Sequence, residues 1–233
     1  MTPKEIISEL LTLERDKTPI SLLNVYKGLP VTYPVTIIAS FQGRLLLKTN
    51  RYQIACLKLE NKAFIRNNNN SVVYQAEVEK INFNRRQVIL KNFSYADPMI
   101  GKREQVRVQV LQKMDVVIDQ GDGSPIRSKL FDLSVTGIAV DIQNGDLVVN
   151  KGASVKTALQ LPEISQVYTQ RLVFTGMIET VRQIDDNTRR VGISTNPDSD
   201  AQELLEQYIE VVQAQYLGEL QDIFHQELEK ETI

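Results

Sequence analysis

The 233-residue chain is short of the residues that build most active centres: one cysteine (Cys56), one histidine (His225) and no tryptophan. A lone thiol excludes an intramolecular disulfide framework and suits a reducing compartment. Cys56 and His225 fall two short of the four Cys/His ligands of a structural zinc site, so no metal centre is expected. A Ser-His-Asp or Cys-His catalyst would have to use His225. That residue lies in a helical pattern near the C-terminus, far along the chain from any candidate nucleophile, and reads as solvated or helix-packing. An excess of charge is missing too: 27 Lys+Arg against 29 Asp+Glu leave a formal charge of −2. This argues against binding a nucleic-acid polymer through overall charge, but not against a small basic pocket. No apolar run approaches the roughly 18 residues that cross a bilayer. Met1-Thr2-Pro3-Lys4-Glu5 places an acid where a signal peptide has its basic region. The expectation is a cytoplasmic protein without membrane insertion.

What is present is ordinary globular material, 42% hydrophobic and 24% charged, in a chain long enough for one or two domains. Thr2 and Glu5 have capping-box spacing around Pro3, and Ile6, Ile7, Leu10 and Leu11 make one apolar face, predicting a first helix that Thr18-Pro19 ends. From about Val31 the period changes to two. Val35–Phe41, Arg44–Lys48, Ile54–Leu59, Val72–Phe83 and Gln87–Phe93 read as strands separated by short turns, among them the Asn67–Asn70 run. Asp97-Pro98-Met99-Ile100-Gly101 is a break, and the domain boundary is placed there. A second all-β set follows: Val106–Ile118, Arg127–Ser134, Gly137–Ile142, Ser154–Leu161, Val167–Arg182 and Arg189–Ser194. Asp119-Gln120-Gly121-Asp122-Gly123 is a hairpin turn that lacks the terminal Glu of a calcium loop. The end of the chain returns to helical period, with Ser199 and Gln202 at capping-box spacing and Leu205, Ile209, Val212, Tyr216, Leu220, Ile223 and Leu228 recurring every three to five residues. Such a helix either packs on the barrels or pairs its outer half with another subunit as a homodimer. The fold class is mainly β: two small antiparallel β-barrels in tandem, residues 1–98 and 99–233, with an N-terminal helix and a long C-terminal helix.

Two short stretches carry chemistry. In Gly101-Lys102-Arg103-Glu104-Gln105-Val106-Arg107-Val108, extended backbone would put Arg103, Gln105 and Arg107 on one face, with Lys102 beside them and Val106, Val108 and Val110 toward the core. In Phe131-Asp132-Leu133-Ser134-Val135-Thr136-Gly137-Ile138, the same alternation points Phe131 and Leu133 inward and Asp132 and Ser134 to the other side. Gly137 stands where the backbone turns or lets a ligand approach. Arginine forks bind phosphate oxygens, read the O6/N7 edge of guanine and stack on purines. A carboxylate accepts the paired N–H donors of guanine, which adenine lacks. There is no Walker A pattern and no acid pair arranged for magnesium, so phosphoryl transfer is not supported and no enzyme is expected.

R-x-x-x-R followed about thirty residues later by D-x-S-x-x-G in a small all-β domain resembles the PilZ domain, the bacterial receptor for cyclic di-GMP. The layout before it resembles the N-terminal barrel of YcgR-type flagellar brake proteins. The resemblance implies that Lys102, Arg103, Arg107, Asp132, Ser134 and Gly137 bind cyclic di-GMP, with no cofactor. Arg103 and Arg107 would wrap phosphates and guanines, Asp132 and Ser134 would contact a base, and Gly137 would permit close approach. A basic residue at Lys102 would accompany an intercalated ligand dimer. Thr136 replaces a second glycine of many relatives, and Val191-Gly192-Ile193-Ser194 lacks the Phe often found in the last strand. The implied function is a receptor that binds at the domain junction, changes domain orientation and acts on a protein partner in motility or biofilm machinery, at the flagellar basal body. The alternative is an adaptor that keeps the scaffold without using nucleotide.

Overall fold

The computed structural model describes residues 2–67, 72–97, 105–121, 125–143, 150–162 and 170–232. The chain divides into two units, Met1–Glu104 with Gln215–Ile233 and Gln105–Ala214. The break from Pro98 to Gly101, most of the Asn run and the Asp122-Gly123 end of the second turn lie outside the described residues, as does the start of the strand expected from Val167.

In the first unit, Thr2 caps helix α1 (Pro3–Arg15) in the expected capping box, and Ile6, Ile7 and Leu10 are its buried face. Seven antiparallel strands follow: β1 (Ile20–Tyr26), β2 (Leu29–Pro34), β3 (Thr36–Phe41), β4 (Arg44–Lys48), β5 (Lys62–Asn67), β6 (Val73–Asn82) and β7 (Gln87–Tyr95). Their order, β2-β1-β5-β6-β7-β4-β3, makes one curled half-barrel with β2 and β3 at its edges. Strands β1 and β2 escape the period-two reading that begins near Val31. They form a hairpin at Lys27-Gly28, whose φ values of 48° and 86° suit a two-residue loop with both central residues left-handed.

The Ile54–Leu59 segment is a helix and not the expected strand: α2 spans Arg51–Glu60. Its residues Gln53 to Leu57 are buried without interruption, so the run has no alternation, and such short runs look alike in helix and strand. Local chemistry decides it. Asn50 accepts from the Tyr52 N–H at 2.9 Å, and Asn61 stops the helix at φ 53° while its N–H donates to the Leu57 carbonyl, between residues of high helix propensity.

The second unit holds β8 (Val108–Gln109), β9 (Asp115–Asp119), β10 (Ile126–Ser134), β11 (Gly137–Gln143), β12 (Ser154–Leu161), β13 (Gln170–Asp185) and β14 (Thr188–Thr195). The ladder β11-β14-β13-β12-β9-β10 closes through a further β10–β11 pairing into a six-strand barrel, with β8 added beside β10. Val116, Ile118, Leu130, Leu133, Val140, Leu159, Phe174, Val191 and Ile193 fill it. The single strand expected from Val106 to Ile118 is interrupted, because β8 and β9 flank the same partner on either side of a bulge in β10 between Leu130 and Asp132.

Helix α3 (Ser199–Thr232) has 34 residues, about 51 Å at 1.5 Å per residue. Its N-terminus is capped by Asp198, which accepts the Ala201 N–H at 2.8 Å, in place of the expected Ser199 pair. Within the first unit, its later turns bury Tyr216, Leu220 and Phe224. Tyr216 meets Tyr26 edge-on and Phe224 meets Phe83, while Glu219 binds Lys27 at 2.6 Å and Glu227 binds Lys58 at 3.0 Å. Tyr216, Leu220 and Phe224 are thus covered within the first unit, while Ile223 and Leu228 of the apolar stripe stay half-buried. Among the described residues no helix is long and apolar enough to cross a membrane.

Candidate functional site

The D-x-S-x-x-G stretch is the β10–β11 hairpin. Ser134 and Gly137 are opposed across it, and the Ser134 hydroxyl, 2% exposed, donates to the Gly137 carbonyl at 3.2 Å. Gly137 is required by packing rather than by its φ. A Cβ there would lie 3.1 Å from the Ile193 carbonyl oxygen on β14 and 3.7 Å from Ser134 Oγ, so a side chain would push the hairpin off its neighbour.

Leu133 is fully buried, as alternation requires. Phe131 departs from it. The bulge makes Phe131 the extra residue between Leu130 (opposite Val140) and Asp132 (opposite Ala139), and bulges re-aim side chains in this way. Phe131 does not enter the core: its ring is half-buried and carries the Arg190 guanidinium 3.1 Å from its centre. Arg190 is held there by a two-point bond to Asp141, at 2.7 and 3.0 Å. This stacked arginine adjoins the motif in space but was invisible in the motif, because it comes from β14, some sixty residues downstream. A basic residue at the middle of a strand was the only signal for it.

Asp132 pairs in the ladder with Gln109 of β8 on one side and Ala139 on the other. Arg107, just ahead of β8, brings its Nη1 to 4.0 Å from Asp132 Oδ1, with the arginine side chain 39% exposed and the aspartate 14%. The Thr136 hydroxyl donates to Gln105 Oε1 at 2.5 Å, tying the first stretch to the hairpin turn. The structure therefore gathers Arg107, Asp132, Ser134 and Gly137, with Gln105 added as a link that alternation had placed on the arginine face without a role. Lys102 and Arg103 lie outside the described residues.

A pair at 4.0 Å with one partner well exposed contributes about 0–1 kcal/mol. Arg107 is thus held loosely, and a phosphate or a base edge could draw it away at small cost. Asp132 offers a largely desolvated acceptor beside it, with the close backbone of the hairpin next in line. A groove of about 590 Å³ on the same barrel is lined by Met114, Val117, Gln160 and Arg171 among others, and includes none of these residues.

Residues 101–211 match the family described as the PilZ domain. No curated protein matches the chain. Among solved structures, Escherichia coli YcgR in complex with c-di-GMP is 13% identical, covering 95% of each chain with a TM-score of 0.47. The K. pneumonia MrkH–c-di-GMP complex is 15% identical, covering 92% of this chain and 96% of its own, at 0.46. The Bacillus subtilis inhibitor of motility MotI/DgrA is 17% identical, covering 85% and 97%, at 0.44.

Proposed function

We propose that this chain, which carries a PilZ domain over residues 101–211, is a receptor for cyclic di-GMP and acts by binding, without chemical turnover. The observation that carries the reading is the convergence of Arg107 on Asp132 beside the Ser134–Gly137 pair. A fork donor and a shielded carboxylate beside a tight hairpin suit a guanine nucleotide with exposed phosphates.

In this reading Arg107 exchanges its weak contact with Asp132 for ligand phosphate or guanine, and Asp132 accepts the N1–H and N2–H pair of a guanine. Ser134 holds the hairpin through the Gly137 carbonyl, and the missing side chain of Gly137 lets that hairpin seat against β14 close beside the ligand. Arg103 would supply the second fork and Lys102 a further cation, favouring an intercalated ligand dimer. In this reading residues 1–98 are the YcgR-like first domain and 99–233 the PilZ domain, whose C-terminal helix contributes its turns from Gln215 onward to the first unit. Because the arginines closely follow the Tyr95–Lys102 connector in sequence, a ligand that they grip better in one domain arrangement shifts the population toward it. The output is altered contact with a protein of the motility or biofilm machinery.

Isothermal titration with cyclic di-GMP tests this. Micromolar or tighter binding is expected, with cyclic di-AMP bound far more weakly. Arg103→Ala, Arg107→Ala and Asp132→Ala should each lose about tenfold or more, the worth of roughly 1.5–3 kcal/mol for a charge-assisted bond. No binding at micromolar concentrations, or binding undiminished in Arg107→Ala, would overturn it and leave the nucleotide-independent adaptor.

A further inference from the structure

The two edges of the first sheet are unlike. At one, β2 reads Leu29-Pro30-Val31-Thr32-Tyr33-Pro34 and, among the described residues, pairs only with β1. Residues 30, 32 and 34 share a direction. Because proline cannot donate to a ladder, Pro30 and Pro34 belong on the side facing away from β1. Two of the three donors that this edge would offer are therefore missing. At the other edge, β3 reads Thr36-Ile37-Ile38-Ala39-Ser40-Phe41 and, among the described residues, pairs only with β4. It has no proline and no charge to blunt it, and the one such device it carries is a bulge between Ile37 and Ala39.

Five of its six residues are exposed, with Ile38 at 47% and Phe41 at 41%. Ala39 stands opposite Leu46 of β4, and Leu46 opposite Ile89 of β7. Both of these neighbours are only half-buried, so apolar surface runs back from the edge across three strands. A row of backbone donors and acceptors beside such a surface is matched by another extended strand.

We propose that β3 is a homodimerisation edge, pairing antiparallel with the β3 of a second copy. The strand that fits is argued from the edges themselves. Pairing of β3 with the β2 of another copy would run on into a filament, and the prolines of β2 prevent it. Pairing of β3 with β3 about a two-fold closes on itself and sets no like charges face to face, since β3 carries none. The apolar side chains that β3 leaves in water are covered by their own copies. This inference rests on the first unit alone and stands apart from the nucleotide reading.

Sedimentation velocity on the full chain over a range of concentrations tests it. A monomer–dimer equilibrium is expected. Ile38→Lys, at the middle of the strand, should place two lysines near the two-fold and give a monomer, and Ile38→Glu should do the same. An equimolar mixture of the two should recover the dimer, whereas Thr32→Lys on β2 should leave self-association as in the wild type. Circular dichroism of the Ile38 variants should be unchanged, because that side chain stands half in solvent. A wild type that stays monomeric up to about 1 mM, or a dimer that survives both Ile38 substitutions, would overturn the proposal.

Discussion

Gly137 and Gly176 both sit in strands of the barrel, yet a methyl group at each meets different resistance. At Gly176 a Cβ would fall 2.2 Å from the Ser194 carbonyl oxygen, a backbone atom, and at Gly137 the nearest atom is 3.1 Å away. Gly176→Ala should therefore cost about 1–3 kcal/mol or more, and Gly137→Ala clearly less, measured by urea denaturation. The bulge in β10 separates Phe131 and Leu133 just as sharply. Leu133→Ala removes a fully buried side chain and should cost about 2–5 kcal/mol. Phe131→Ala leaves the core intact and should cost less, a ranking opposite to side-chain size. Strict alternation would have given both residues the same penalty. The residue types of the site could be read from the chain, but a bulge adds one residue to the strand count, and no local propensity marks where it falls.

At the scale of elements, helix α2 depends on its ends. Asn61 holds φ 53°, so Asn61→Gly should leave the melting temperature nearly unchanged. A β-branched replacement such as Asn61→Val should lower stability by roughly 1–2 kcal/mol, the strain of a left-handed backbone. The same helix presents Glu60 to a polar cluster beneath it. Gln53 donates to Asn24 at 2.7 Å, and Asn24 donates to the Glu60 carboxylate. Burial raises the Glu60 pKa above its ordinary value, with the Asn24 bond opposing. An acid raised on folding contributes stability below its unfolded pKa and loses it as the pH rises through the folded one. Glu60→Gln should thus gain on the wild type in melting temperature as the pH climbs from about 4 to 7. Glu227 has the opposite sign: bonds from Lys230 and then Lys58 lower its pKa. Its contribution is present above the ordinary carboxylate range and is lost as the pH falls through the lowered value. Hydrogen-exchange protection in the last turns of α3, taken relative to the intrinsic rate at each pH, should fall on acidification and change less in Glu227→Gln. The helix at 51–60 was unreadable from period alone, since its buried residues run consecutively from Gln53 to Leu57 and its exposed ones fall together at the end, so no alternation reveals its pitch. Its caps, Asn50 and Asn61, are polar residues whose role only the structure shows.

For the whole molecule, a ligand that binds only the folded second unit adds stability by mass action, about 2.7 kcal/mol at a hundredfold excess over Kd. Cyclic di-GMP should therefore raise the melting temperature of the wild type and raise that of Arg107→Ala clearly less at the same concentration, since a tenfold weaker site retains about 1.4 kcal/mol of that stabilisation. A wild type unaffected at millimolar ligand would count against binding. The dimer edge belongs to the first unit, so Ile38→Lys should leave this ligand-induced shift intact.

Sequence by itself determined the mainly β architecture, the helix at each end and the residue types of the candidate site. Period-two burial, capping spacing and the chemistry of arginine, aspartate and glycine are local properties written along the chain. Tertiary structure alone decided which ladder closes: the barrel of the second unit shuts through β10 and β11, while the first sheet stays open at β2 and β3. Closure depends on strand register and bulges summed around the sheet, which no single segment contains. It likewise decided that Arg190 stacks on Phe131 and that Arg107 meets Asp132. Those contacts join residues that are distant along the chain, and only pairing between strands brings them together.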